Sequence, residues 1–111
     1  MQVKTKRLGV ATYLTPDGPL IEENLASLDE CVQAARAHAP ANLVIDLHLV
    51  PFFDSSGLEY VLDLATSLQE TGGSLRLAGA SSICRDVLEI TRLDQAISVF
   101  EDLESAGRSF L

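Results

Sequence analysis

Hydrophobic and polar positions change period several times along the chain, and each change marks an element. In VKTKRLGVATYLT, Val3, Leu8, Val10, Tyr13 and Leu14 fall at strand-like spacing broken by Gly9, which predicts one bent strand or a short hairpin pair. Pro16-Asp17-Gly18-Pro19 is a turn cluster. Leu25, Leu28, Val32 and Ala35 then recur at helical spacing, with Glu22 and Glu23 where the helix dipole favours acids and Pro40 blocking continuation. Leu43-Val44-Ile45 is a continuous β-prone run, the pattern of a central strand covered on both faces.

Leu58, Val61, Leu62, Ala65 and Leu68 mark a second amphipathic helix, stopped by Gly72-Gly73. Leu75 and Leu77 alternate with Ser74 and Arg76 in a further strand. Ser81-Ser82 precede a helix whose expected core positions are Ile83, Val87, Ile90 and Leu93. Ile97, Val99 and Phe100 form a short last strand, and EDLESAGRSFL has room for a terminal helical turn or two. The order β(β)αβαβαβα implies an α/β fold with a mixed, mostly parallel sheet of 4–5 strands. With no repeat, linker or low-complexity segment, residues 1–111 are expected to form a single domain. Pro16 to Glu22 and Pro51 to Gly57 should meet at the carboxyl ends of the strands, where such sheets carry their functional loops.

Composition narrows the function classes. A hydrophobic fraction of 47% is enough for a packed core without metal or disulfide staples. Cys31 and Cys84 are isolated within helical patterns and read as small packed residues of a reducing compartment. The net charge of −8 argues against direct nucleic-acid binding, although three of the eight basic residues lie within Lys4 to Arg7. No apolar run approaches a membrane span or a signal peptide, so a cytoplasmic location is expected. Nothing calls for a metal or cofactor: GxxxxGK[ST], GxGxxG and clustered ligand residues are absent.

The candidate chemistry is concentrated in LVIDLHLVPFFDSSGL, residues 43–58. A hydrolase reading is weak, because Asp54 and Leu58 occupy the flanking glycine positions of a nucleophile elbow. His48 is two residues from Asp46 on the same strand, and no spacing brings it to Ser56. Local spacing favours Ser56 as a helix N-cap, with Glu59 at N3 completing a capping box. The same place suits a phosphate, because a helix N-terminus offers free N–H groups and positive potential. Glu59 would then be a carboxylate one turn from the phosphate. Cap and phosphate acceptor are compatible roles for one hydroxyl.

Val44-Ile45-Asp46-Leu47 followed at fixed spacing by Asp54-Ser55-Ser56-Gly57-Leu58 resembles the central motif of STAS domains, and more narrowly of bacterial anti-sigma factor antagonists. Gly18-Pro19-Leu20, Gly72 to Leu77 and Leu88 to Leu93 extend the likeness across nearly the whole chain. The resemblance implies a binding protein, not an enzyme. It engages an anti-sigma factor that is also a serine kinase, which supplies its own ATP and magnesium, and a phosphatase resets the modified form. By position, the resemblance makes Ser56 the phosphorylation site. Asp54, Ser55, Gly57, Leu58, Glu59, Gly18 and Leu20 become the expected partner-binding residues. A non-switching STAS adaptor or scaffold subunit, as in stress-signalling or lipid-transport complexes, is the alternative the same resemblance admits.

Overall fold

A computed structural model describes residues 1–111. Five strands lie in the order β1 (Val3–Leu8), β2 (Ala11–Pro16), β3 (Asn42–Asp46), β4 (Ser74–Ala78) and β5 (Ser98–Phe100). The opening segment is a hairpin: β1 pairs antiparallel with β2, and every later pairing is parallel. Parallel neighbours need crossovers. Helices α1 (Leu25–Arg36), α2 (Ser55–Glu70) and α3 (Ser82–Ile90) with the short α4 (Leu93–Ala96) supply them, and α5 (Leu103–Arg108) ends the chain. The expected mixed, mostly parallel α/β sheet is therefore present, with the Leu43–Ile45 run as its fully buried centre.

The two faces of the sheet are unequal. One carries the main core, in which Leu14, Leu43, Ile45, Leu75 and Leu77 meet Leu28 and Val32 of α1, Val61, Leu64 and Leu68 of α2, and Leu88 of α3. The other carries a small cluster of Ala11, Val44, Ala78 and Ala106, covered by α5 alone. Between α1 and α2 the Tyr60 hydroxyl donates to Asp29 Oδ1 at 2.8 Å. Burial first, and then the Asp29 carboxylate beside it, raise the Tyr60 pKa, so the phenol stays a neutral donor.

Two helices present faces other than the sequence suggests. In α2 the buried stripe is Gly57, Val61, Leu64 and Leu68, whereas Leu62 is an exposed large apolar side chain. In α3 the core side chains are Cys84 and Leu88; Ile83 is 64% exposed and Ile90 is 81% exposed. Both stripes of α3 have helical period, and the chain turns the smaller Cys84 inward so that its Sγ reaches the carbonyl of Val50 at 3.3 Å. Leu93 is buried as expected but belongs to α4, because Arg92 adopts a left-handed conformation (φ 62°) that ends the preceding helical segment.

Candidate functional site

The site is assembled by two loops at the carboxyl edge of the sheet. After Asp46 the chain turns through residues 47–50, and the amide of Val50 donates to the carbonyl of Leu47 at 3.0 Å. It then runs out through Pro51 and the exposed Phe52 to a bridge in which Phe53 pairs parallel with Leu20. The amide of Leu20 donates to the carbonyl of Phe52 (3.1 Å), and the amide of Asp54 donates to the carbonyl of Leu20 (3.2 Å). The loop after β2 and the loop after β3 are thus joined by main-chain bonds just before α2 begins, which fixes the direction of the helix entry.

Asp54, not Ser56, is the N-cap of α2. Its backbone is extended, and its Oδ1 accepts the Gly57 amide at 2.8 Å. The second carboxylate oxygen accepts the amide of Glu22 at 3.2 Å, so one side chain caps α2 and holds the other loop. The expected capping box of Ser56 with Glu59 does not form. The helix starts two residues earlier than that box requires, because a carboxylate at 54 already satisfies the N3 amide. Ser55 and Ser56 consequently occupy the first two helical positions, and neither hydroxyl makes an intramolecular hydrogen bond.

Gly57 is required by close approach. A Cβ there would collide with the carbonyl oxygen of Leu20, the same carbonyl that accepts from Asp54. Sequence reasoning placed Gly57 and Leu20 in a contact surface, yet both are buried, Leu20 completely. Their part in the site is to set the backbone of the loop–helix junction. Ser55 and Glu59 are exposed, while Asp54, Ser56, Leu58 and Gly18 are half-buried. Ser55, Leu58 and Glu59 line one wall of an open groove of about 370 Å³, and Thr91, Arg92 and Leu93 line the other. The α4 side of this groove had no distinct signal in the sequence, since only the break at Arg92 creates it.

Asp46 and His48 do come together. His48 Nδ1 lies 2.7 Å from Asp46 Oδ2, and the His48 amide donates to Asp46 Oδ1 at 3.1 Å. Thr15 Oγ1 donates to the same carboxylate at 3.3 Å, which leaves the buried Asp46 fully engaged. No hydrogen bond joins this cluster to Ser55 or Ser56, so it does not assemble a serine–histidine–aspartate triad with the motif. No helix is long and apolar enough to cross a membrane.

Comparisons with known proteins agree with this fold. The STAS domain family model matches residues 2–106. An anti-sigma-factor antagonist domain protein of Planctomyces limnophilus is similar at 23% identity, with 96% of this chain and 95% of that one covered and a TM-score of 0.81. A candidate anti-sigma factor antagonist of Thermotoga maritima gives a TM-score of 0.87 at 20% identity, covering 96% of this chain and 92% of that one. The antagonist SpoIIAA in its unphosphorylated form gives 0.77 at 18% identity, covering 96% and 95%. Among curated proteins, none matches the sequence.

Proposed function

The chain belongs to the STAS domain family, and from that premise we propose that it is an anti-sigma factor antagonist switched by phosphorylation of Ser56. Unmodified, it binds an anti-sigma factor in the cytoplasm and thereby frees a sigma factor. The anti-sigma factor is also a serine kinase and holds ATP and magnesium in its own site. The Ser56 hydroxyl oxygen attacks the γ-phosphorus, the bond to ADP breaks, and the hydroxyl proton passes to the kinase. The phosphorylated chain is released, and a phosphatase restores it. The chain itself is a substrate and binding module, not a catalyst.

One observation carries this reading. Asp54 performs the capping, so the Ser56 hydroxyl, like that of Ser55, is held in the first turn of α2 without a structural bond of its own. The position of Ser56 before the motif glycine selects it of the two. A hydroxyl that capped the helix would have to leave its amide before reacting, at a cost of about 1 kcal/mol. Ser56 has no such bond to break. The charges nearby support the switch in the other direction. A phosphate brings about −1.5 to −2 charges to a turn that already carries Asp54 and is followed by the exposed Glu59. Repulsion from both carboxylates turns the phosphate toward solvent. It alters the surface offered to a partner while leaving the helix cap in place.

Binding of three proteins to the anti-sigma factor kinase tests the reading: wild type, Ser56→Ala and Ser56→Asp. The expected result is that the alanine variant binds like wild type and the aspartate variant at least about tenfold more weakly. Equal binding of all three would replace the switch by the non-switching adaptor or scaffold role.

A further inference from the structure

The face of the sheet opposite α2 holds a second site. In the hairpin, Lys4 lies across from Thr15, Lys6 from Tyr13, and Leu8 from Ala11. These alternate positions share the face on which Ala11 and Tyr13 pack with Ala106 and Leu103 of α5. Helix α5 has six residues, packs against β3, β4 and β5, and reaches only Ala11 and Tyr13 of β2, which leaves the β1 side of the face uncovered. Between hairpin and helix lies an open trough of about 890 Å³, within the size range of small-molecule sites.

The trough is apolar along its length and cationic at its edge. Leu8, Tyr13 and Leu103 line it, and Leu8 is 53% exposed. Lys4 and Lys6 stand over it, and they are the two lysines of a chain whose net charge is −8. Neither takes part in any of the three ion pairs. Arg108, on the opposite wall, is already held by Glu104 at 3.0 Å. Asp46 lies behind Thr15 and is engaged by Thr15 and His48. Two unpaired ammonium groups above an apolar floor match a ligand with a negative head and a hydrocarbon tail.

We propose that this trough binds a medium- or long-chain fatty acid anion. The carboxylate sits between Lys4 and Lys6, and the alkyl chain lies along Leu8, Tyr13 and Leu103. Charge-assisted contacts fix the head, and removal of the exposed apolar surface from water holds the tail. The site is separate from Ser56, which lies on the α2 side of the sheet.

Calorimetric titration of the whole chain with laurate, below its micellar concentration, tests this assignment. Laurate is expected to saturate one site. Acetate, which has the charge without the tail, and dodecyltrimethylammonium, which has the tail with the opposite charge, are expected not to bind at the same concentrations. The Lys4→Gln/Lys6→Gln variant should lose about tenfold or more in affinity, and Lys4→Arg/Lys6→Arg should keep most of it. Both lysines are exposed on an edge strand, and circular dichroism should show both variants folded as wild type. Unsaturable laurate uptake, undiminished binding by the glutamine variant, or equal binding of the cationic amphiphile would overturn the proposal. So would binding only to phosphatidylglycerol vesicles, or a dimer of the chain that the glutamine variant abolishes, because the face would then serve a membrane or a second copy.

Discussion

Two helices of this protein begin at a pair of serines, and the pairs do different things. At α3, Ser81 is the N-cap and its Oγ accepts the amide of Cys84 at 3.2 Å. At α2, Ser55 and Ser56 lie just inside the helix, because Asp54 has taken the cap and its carboxylate accepts the amide of Gly57 at 2.8 Å. A shift of one or two positions relative to the cap thus decides whether a hydroxyl is structural or free. Where the chain places an aspartate ahead of the serines, it provides the helix with a cap and leaves both serine hydroxyls without a hydrogen bond.

Substitutions at the two helix starts can sharpen or break this contrast. The largest effect is expected at Gly57→Ala, where the new methyl group meets the backbone carbonyl of Leu20. Neither backbone can yield without parting the two loops, so the loss should reach at least about 3 kcal/mol. A lowered denaturant midpoint with unchanged slope would register it; a variant as stable as wild type would mean that the loops are not locked together.

Asp54→Ala comes next. It removes the cap of α2 and the acceptor for Glu22 in one step, and about 2 kcal/mol should be lost. The smallest pair is the most informative about the serines. Ser81→Ala should cost about 1 kcal/mol as an ordinary lost cap, whereas Ser56→Ala should change stability by no more than about 0.5 kcal/mol. Equal losses in parallel unfolding titrations would show that Ser56 caps α2 after all.

Much of the fold was readable from periodicity. The continuous run Leu43–Ile45 announced a strand buried on both faces, and the single helices between strands implied parallel pairing. The motif Asp54–Leu58 and the meeting of its loop with the one before α1 were also legible, since both follow strands that point the same way. Two things were not. Ser56 followed by Glu59 fits a capping box, and the rule has no means of knowing that Asp54 has already satisfied the amide. In α3, Ile83, Val87 and Ile90 form as regular a stripe as Cys84 and Leu88, so hydrophobicity chose the wrong face. Packing settled it through Cys84, which fits against the carbonyl of Val50. The trough beside the hairpin was invisible for a related reason: it exists because α5 reaches β2 but stops short of β1, a fact of length and placement that no local pattern carries.

The central claim is that Ser56, one of the two serines that the Asp54 cap leaves without a hydrogen bond, is the one that accepts a phosphate. The most direct measurement is site-localised mass spectrometry after the chain is incubated with the proposed anti-sigma factor kinase, ATP and magnesium. The account predicts a single phosphate, on Ser56, with Ser55 and the capping Ser81 unmodified. Phosphate on Ser55 or Ser81, or no phosphate on any serine, would contradict it.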